Sequence, residues 1–280
     1  MVESRGYLLH MTHYDPRWVA EKENEKPFDL KLAIELVKEL ADNGFNLLMI
    51  DPKDAVKFRS HPELKRHYTQ PMGNLRKLAA AAKKAGLEVA LKINFSQSGT
   101  HQHNHWFAPH HKRFDNKEYF ERAFTILDEL IDAAKPERFI HVGMDEDHDR
   151  SIKQFVDAVI TLNKLVTERG FRTMIWNDTA CFWAQAMVHV EKSLATEKKG
   201  PKDVTHIIYD YFTPVQLKAF KRVQRRGLKL WGAPGQKIKP MMQLLDKLNA
   251  EGVLITHWIP CVQENREQLI NKIKNFGDYY

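Results

Sequence analysis

Four acidic residues, a histidine and an arginine fill positions 145–150, directly after the apolar run RFIHVGM. The adjacent pair Asp145 and Glu146 has the residue types that general acid–base catalysis requires. Like charge and partial burial raise the pKa of one of two neighbouring carboxyl groups, so that one holds a proton near neutral pH while the other stays ionised. The sequence therefore predicts Asp145 and Glu146 as catalytic residues.

Acidic residues in this place are also typical of a helix start. Asp145, Asp147 and Asp149 precede the helical pattern SIKQFVDAVITLNKLV, and acids in the first turn stabilise a helix. We assign positions 147–150, and Asp149 above all, to that helix start. A helix start does not explain His141, which lies within the predicted apolar strand. A polar side chain in that position must find a hydrogen-bond partner.

Eight short apolar runs, rich in β-branched and aromatic residues, predict the strands that position these groups. They are YLLHMT (7–12), FNLLMI (45–50), EVALKI (88–93), RFIHVGM (138–144), RTMIW (172–176), THIIYDY (205–211), LKLWG (228–232) and GVLITHW (252–258).

Helical patterns with apolar residues three and four apart lie between these runs. Several end in a glycine that leads almost at once into the next strand, namely Gly44, Gly86, Gly170, Gly227 and Gly252. This repeat is typical of β–α units in a parallel sheet. Eight units, without a glycine-rich phosphate motif after the first strand, predict an α/β fold with a single (β/α)8 TIM barrel over residues 1–280.

The segment HVGMDE, residues 141–146, resembles the H-x-G-G-D-E motif of family-20 glycoside hydrolases, the β-N-acetylhexosaminidases. Other segments fall in the family's order. RGYLL from Arg5 resembles the R-G-x-x-L-D start of its first strand, and NLLMID from Asn46 resembles the N-x-L-x-x-H of its second. The resemblance spans most of the chain and is most specific around Asp145 and Glu146.

The resemblance implies a retaining, substrate-assisted hydrolysis of β-linked N-acetylhexosamine in an oligosaccharide or glycoconjugate, without a cofactor or a metal. It makes Glu146 the general acid and base, and Asp145 the group that orients the 2-acetamido group and stabilises the oxazolinium intermediate. Arg5 is expected to bind sugar hydroxyls. The remaining substrate-binding candidates are at strand ends, where aromatic rings pack against sugar faces: His141, Trp176, Asp178, Tyr209, Trp231 and Trp258.

Several positions depart from the family pattern. These departures bear on which sugar is the substrate more than on the type of reaction. Met144 replaces the second glycine of the motif, and His10 replaces the aspartate of the first strand. Trp258 is followed by Ile259 and Pro260 where the family has a glutamate two residues after the tryptophan. Within residues 1–280 we expect no counterpart of the small α/β domain that usually precedes the family's barrel.

The segment HQHNHWFAPHH, residues 101–111, carries five of the chain's 14 histidines. Alternation places His101, His103 and His105 on one side of an extended segment, which favours a shared ligand. A rival hypothesis is therefore a metal-dependent barrel hydrolase or isomerase that uses these histidines with Asp51, Asp145 and Glu146. A second rival is a non-catalytic carbohydrate-binding barrel.

The overall charge and composition do not indicate nucleic acid as a partner. The formal net charge is +7, but its densest basic segment, residues 218–229, has helical spacing, and no nucleic-acid-binding motif accompanies it. No stretch is long and apolar enough for a membrane span.

The two cysteines, Cys181 and Cys261, indicate buried thiols. The start MVESRG lacks a secretory pattern, so a cytoplasmic location is expected, or a secreted one if a signal was removed. The oligomeric state is left open.

Overall fold

The computed structural model describes residues 2–15, 22–181, 187–211, 215–235, 238–277 and 279. Eight strands form a closed barrel in chain order, and each pairs in parallel with its neighbours. The predicted (β/α)8 barrel is confirmed. The strands are β1 (Ser4–His10), β2 (Leu47–Asp51), β3 (Glu88–Lys92), β4 (Phe139–His141), β5 (Arg172–Asn177), β6 (Thr205–Asp210), β7 (Lys229–Pro234) and β8 (Gly252–Pro260).

One helix follows each strand and packs outside the barrel. The apolar positions three and four apart form the buried side of each helix, as in α1, where Leu32, Leu36 and Leu40 are buried. The helices are α1 (Leu30–Asp42), α2 (Gly73–Lys84), α3 (Lys117–Ala134), α4 (Ile152–Thr167), α5 (Met187–Lys199), α6 (Leu217–Arg225), α7 (Ile238–Lys247) and α8 (Arg266–Gly277).

The start of α4 differs from the prediction. Ser151 is its N-cap, and Ser151 and Gln154 form a reciprocal capping box. The first turn of the helix contains no acidic residue. Asp149 is exposed and lies before the cap, while Asp147 is buried and pairs with Arg150. The expectation that Asp149 stabilises the helix start is therefore wrong, because a serine hydroxyl already satisfies the free backbone N–H group.

Side chains alternate along the strands between two apolar layers. One layer lies between strands and helices and includes Leu9, Ile50 and Val142. The other fills the barrel interior and includes Leu8, Phe139 and Trp231. This alternation decides which strand residues reach the interior of the barrel.

Four of the five glycines predicted at helix ends have the left-handed backbone conformation expected there, namely Gly44, Gly86, Gly170 and Gly227. Gly252 is different, because it begins β8 and does not share this conformation. A Cβ atom at Gly252 would lie 2.5 Å from the Trp231 ring, so close packing explains this glycine. None of the described helices is long and apolar enough to cross a lipid bilayer.

Candidate active site

A cavity of about 250 Å³ opens at the carboxyl ends of the strands, where barrel enzymes place their chemistry. It contains both predicted catalytic residues and an aromatic wall. The lining residues are Tyr14, Asp15, His101, His103, Asp145, Glu146, Trp176, Tyr209, Tyr211 and Trp258.

The backbone after β4 leaves strand geometry before it reaches the acidic pair. Gly143, Met144 and Glu146 have φ angles of 75°, 73° and 47°, in the left-handed region. In a regular strand, adjacent side chains point to opposite faces. Here both Asp145 and Glu146 line the cavity, because the left-handed residues break that alternation.

Met144 faces away from the cavity. Its side chain is fully buried in the apolar layer between strands and helices, together with Ile140 and Val142. A side chain at the family's second glycine position is therefore accommodated outside the cavity. Residue 144 nevertheless has a left-handed backbone, the conformation that glycine adopts most easily.

Asp145 is held by several hydrogen-bond donors. Its Oδ2 accepts a hydrogen bond from the hydroxyl group of Tyr14, and its Oδ1 accepts one from Nδ2 of Asn94 at 2.8 Å and one from Oγ of Ser96 at 3.2 Å. Asn94 also donates to the Tyr14 oxygen at 3.0 Å. Together these contacts fix the orientation of the carboxylate.

The surroundings of Asp145 favour its charged form. Burial raises the pKa of this carboxyl, but the nearby charges of His103 and Lys92 and the hydrogen bonds from Tyr14 and Asn94 outweigh burial and lower the pKa below its usual value. Burial and the charge of Asp145 raise the pKa of Tyr14 well above its usual value, so Tyr14 remains a neutral donor. Asp145 is therefore an ionised carboxylate at neutral pH.

Glu146 is half-buried, and two imidazoles contact its carboxylate. Nε2 of His103 lies 3.1 Å from Oε2 of Glu146, and Nδ1 of His101 lies 3.2 Å from the same oxygen. Its backbone N–H donates to Oδ1 of Asp178 at 3.4 Å. Glu146 thus keeps an exposed edge toward the cavity while both imidazoles contact one of its oxygens.

Asp178 lies below the acidic pair, where it accepts a hydrogen bond from the hydroxyl group of Tyr209 and one from Oγ of Ser193 at 3.3 Å. Burial, with added effects from the charges of Asp145 and Glu146, raises the pKa of Asp178 to about 8 against the effect of the Tyr209 hydrogen bond. Asp178 therefore favours its neutral, protonated form at neutral pH.

A polar layer lies beneath Tyr14, inside the barrel. Asp51 is fully buried. Its Oδ2 accepts hydrogen bonds from Nδ1 of His10 at 2.9 Å and from Nζ of Lys92 at 3.1 Å. Nζ of Lys53 lies 3.9 Å from the same oxygen and forms an ion pair with it. Burial raises the pKa of Asp51, but the two lysine charges and the hydrogen bond from His10 outweigh it and hold the pKa well below the usual range. Burial lowers the pKa of His10 to about 4. The layer therefore contains one carboxylate and two buried ammonium groups.

Aromatic rings form the opposite wall of the cavity. The ring of Trp176 lies 5.8 Å from those of both Tyr209 and Trp258, and Nε1 of Trp258 donates to the hydroxyl of Tyr211 at 3.0 Å. The ring of Trp258 also lies 4.5 Å from that of Tyr14. Such surfaces pack against the apolar face of a sugar ring.

Four of the predicted substrate-binding residues do not line the cavity, namely Arg5, His141, Asp178 and Trp231. Arg5 is near the start of β1, and its Nε donates to the carbonyl of Gly44 at the amino-terminal end of the barrel. Trp231 is fully buried in the barrel interior against Phe139. His141 is also fully buried, where its Nδ1 accepts from the backbone N–H of Gly143 at 2.9 Å. Asp178 is buried, and the hydroxyl of the cavity residue Tyr209 donates to it.

The sequence analysis assigned no role to several residues that the structure places at the site. Tyr14 and Asn94 lie just beyond β1 and β3, and Asp15 and Tyr211 line the cavity. The available signal was their position at, or up to three residues after, the end of a predicted strand. The histidine segment was noted, and His101 and His103 reach the cavity, but His105 begins a separate 3-10 turn.

The described residues contain two groups of imidazole and carboxylate atoms with spacing suited to a metal ion. One is His101, His103 and Glu146 in the cavity, and the other is His61, Glu63 and His110 outside it.

The fold of the chain is similar to that of several solved enzymes. A family-20 exo-β-N-acetylglucosaminidase from Vibrio harveyi, crystallised with N-acetylglucosamine, shares 12% identity over 99% of this chain and 54% of its own, with a TM-score of 0.64. A mutant β-hexosaminidase from Streptomyces plicatus, in complex with the product GlcNAc, shares 12% identity over 99% of this chain and 64% of its own, with a TM-score of 0.68. Dispersin B shares 11% identity over 98% of this chain and 96% of its own, with a TM-score of 0.59.

The chain therefore spans between half and two thirds of the length of the Vibrio and Streptomyces enzymes, and nearly the whole of dispersin B. No family model and no curated protein matches the sequence. The resemblance to family-20 glycoside hydrolases expected from the motif is confirmed for the fold.

Proposed function

We propose that the chain is a glycoside hydrolase that cleaves β-linked N-acetylhexosamine from an oligosaccharide or glycoconjugate, with retention of configuration and with the substrate's own acetamido group as nucleophile. One observation carries the proposal: an ionised, hydrogen-bonded Asp145 stands beside Glu146 in a cavity walled by aromatic rings. The fold shared with an exo-β-N-acetylglucosaminidase and a β-hexosaminidase supports the proposed class of activity.

The first chemical step uses both carboxyl groups. The acetamido oxygen attacks the anomeric carbon while the bond from that carbon to the glycosidic oxygen breaks, and Glu146 donates its proton to the leaving oxygen. A positive oxazolinium ring forms. The fixed, ionised Asp145 orients the acetamido N–H group and stabilises this charge, because the hydrogen bonds that position it exist before the reaction.

The second step reverses the roles at Glu146. Its carboxylate accepts a proton from a water molecule, which attacks the anomeric carbon from the side that the leaving group vacated. The oxazolinium ring opens and the acetamido group is restored. Two displacements at one carbon give net retention, and no nucleophile from the protein is required.

The aromatic wall supplies sugar recognition. In this proposal, Trp176 and Trp258 contact the apolar faces of the sugar and its acetamido methyl group, and Tyr209 lies beside the acetamido pocket. Asp178, a neutral acid that accepts a hydrogen bond from Tyr209, holds that tyrosine in place. We assign Asp15 and Tyr211, which also line the cavity, to contacts with sugar hydroxyls.

A panel of aryl β-glycosides that differ only at C2 and C4 tests the proposal. We expect release of the aryl group from substrates with a 2-acetamido group and none from the matching 2-hydroxyl sugars, because only the acetamido oxygen serves as nucleophile. The C4 epimers identify the preferred hexosamine. Equal rates with 2-hydroxyl substrates would eliminate the substrate-assisted mechanism.

Glu146→Gln is the matched catalytic control. It should keep the fold and lose turnover of natural, unactivated glycosides, since the amide cannot donate a proton to the leaving group. A chain that binds these sugars but hydrolyses none of them, with wild-type and Glu146→Gln binding equally, would instead be a carbohydrate-binding barrel.

A further inference from the structure

We propose that the cavity has a second ligand, a single Zn²⁺ ion bound by Nδ1 of His101, Nε2 of His103 and Oε2 of Glu146. Each of these three residues offers a ligand atom within 4.8 Å of those of the other two. They come from the segment after β3 and the segment after β4, which meet at the carboxyl end of the barrel. The binding claim is independent of the proposed glycosidase activity, whereas its consequence for catalysis rests on that activity.

The spacing of the ligand atoms fits a metal ion. Oε2 of Glu146 lies 3.1 Å from Nε2 of His103 and 3.2 Å from Nδ1 of His101. A tetrahedral zinc ion with bonds near 2.0–2.1 Å separates its ligand atoms by about 3.3 Å. The two observed distances are therefore close to the edges of such a tetrahedron. The ligand atoms of the two imidazoles lie within 4.8 Å of each other.

The donor types and the charge select zinc over magnesium or calcium. Two imidazoles with a carboxylate are typical zinc ligands, while the harder cations prefer oxygen donors alone. Asp15 and Asp145 add negative charge beside the group, with Oδ2 of Asp15 3.3 Å from Nδ1 of His101 and Oδ2 of Asp145 3.9 Å from Nε2 of His103.

Neighbouring groups already hold both imidazoles in place. The backbone N–H of His101 donates to Oγ of Ser98 at 3.0 Å, and the His101 ring stacks on that of His148 with an interplanar angle of 10°. The His103 ring is buried and lies 4.5 Å from the ring of Tyr14. Ligands that are ordered before binding lose less conformational entropy when the ion arrives.

The other histidine–carboxylate group in the described part of the chain has shorter contacts. Oε1 of Glu63 lies 2.8 Å from Nδ1 of His61 and 2.7 Å from Nε2 of His110. These distances are shorter than the ligand separation in a zinc site, and the Glu63 side chain is 39% exposed. This group is a matched control, because it contains the same residue types outside the cavity.

Zinc at this site opposes the proposed glycosidase reaction. The ion occupies the oxygen of Glu146 and excludes a proton from it, so Glu146 cannot act as the general acid. Zinc and substrate also compete for the same cavity. We therefore expect zinc to be an inhibitor whose effect a chelator reverses.

Equilibrium dialysis of the full chain against Zn²⁺ tests the inference without any turnover. We expect about one tightly bound ion per chain. The His101→Ala/His103→Ala double variant should lose more than the roughly 10- to 100-fold affinity that loss of an outer-shell partner costs. The His61→Ala/His110→Ala variant should bind as the wild type does. His101→Ala alone, at the more exposed ligand, covers the case in which the double variant does not fold.

The results separate the inference from the proposed function. Zinc affinity that is unchanged in folded His101→Ala, or lost in His61→Ala/His110→Ala, would overturn the assigned site. Zinc that binds through His101 and His103 in a chain without glycosidase activity would support the site and reject the proposed function. In an active chain, zinc inhibition that His101→Ala weakens supports both, and activity that requires zinc would overturn the inhibitory role.

Discussion

The hydroxyl group of Tyr14 donates a hydrogen bond to Oδ2 of Asp145, 131 positions later in the chain. The Tyr14 ring is in turn contacted by two buried ammonium groups, with Nζ of Lys53 4.5 Å and Nζ of Lys92 4.6 Å from its centroid. Cation–π contacts therefore connect the polar layer of the barrel to the carboxylate of the candidate site.

Tyr14→Phe tests this connection. The variant removes one donor to the ionised Asp145, and hydrogen bonds to charged groups contribute about 1.5–3 kcal/mol. We expect kcat on an aryl N-acetylhexosaminide to fall by about 10- to 100-fold, because Asp145 loses part of its orientation in the transition state. Steady-state kinetics give kcat and KM, and a thermal melt shows whether the fold is kept.

The matched control is Tyr68→Phe. The hydroxyl of Tyr68 donates to Oδ2 of Asp54 at 2.6 Å. Tyr68→Phe therefore also removes a buried tyrosine–aspartate hydrogen bond, but one that lies outside the cavity. It should lower stability and leave kcat unchanged. A similar loss of kcat in both variants would mean that Tyr14 acts only through stability.

Gly143→Ala should damage the site through Asn94. A Cβ atom at Gly143 would lie 2.1 Å from Oδ1 of Asn94 and 2.8 Å from its Cα atom. Asn94 must then move away from Asp145, to which it donates. We expect a fall in kcat of more than about tenfold, together with a loss of stability above the roughly 1–2 kcal/mol of a left-handed alanine.

Gly170→Ala isolates the backbone contribution. Gly170 has φ +83°, and an added Cβ would meet no atom within 4 Å. This variant should lose only about 1–2 kcal/mol of unfolding free energy and keep wild-type kcat. Equal kinetics for the two alanine variants would show that Asn94 is not needed to orient Asp145.

Asp178→Asn should change the pH dependence of stability. Burial raises the pKa of Asp178 from 3.8 in its unperturbed form to about 8. Between these values the folded chain keeps the proton that the unfolded chain has released, so the contribution of Asp178 to stability falls as pH rises through this window and is constant above it. The uncharged amide avoids this loss.

Urea unfolding at about pH 5 and about pH 8 measures the effect. The stability of Asp178→Asn relative to the wild type should increase by up to a few kcal/mol between the two pH values. A constant difference between variant and wild type would show that Asp178 is ionised in the folded chain at both pH values.

Asp51→Asn should destabilise the barrel from inside. The change leaves the buried ammonium groups of Lys92 and Lys53 without their carboxylate, and breaking a buried ion pair costs about 3–5 kcal/mol. Adding Lys92→Met should recover part of this loss, because one uncompensated charge is removed. Chemical denaturation of the single and double variants measures both steps.

Asp157→Asn is the exposed control for that comparison. Asp157 pairs with Lys153 at 2.6 Å on the surface of α4, and such exposed pairs contribute about 0–1 kcal/mol. A loss for Asp51→Asn no larger than for Asp157→Asn would mean that the buried charges are compensated by other groups.

The barrel was predictable because its signals are local and repeated. Each strand is a short apolar run, and the helices between them carry apolar residues three and four apart. The positions directly after strands correctly located Asp145, Glu146 and Trp176 near one another. Strand ends of a parallel barrel share one edge, so the order along the chain was sufficient for this result.

Depth within the barrel was not predictable from residue type. Arg5 and His10 belong to the same strand, but five residues at about 3.3 Å each separate them along it, so Arg5 lies at the other end of the barrel. Trp231 is likewise below the cavity. A motif match assigns a residue to a strand, whereas a substrate contact also requires the correct height and face.

The direction of side chains after β4 could not be read from the sequence either. Period-two alternation would separate Asp145 from Glu146, and it is the left-handed backbone that brings both to the cavity. Contacts such as those of Tyr14 and His103 depend on loops whose conformations no local periodicity encodes.

The left-handed conformation of Glu146 limits how this site can evolve. Among residues other than glycine, asparagine and aspartate tolerate that conformation best, while β-branched side chains are strongly disfavoured. A single substitution at 146 that exchanges the acid for threonine or valine would therefore disturb the loop as well as the chemistry. New reactions on this barrel are more accessible through changes at Asp15, His101 or Tyr211, whose backbones have no such restriction.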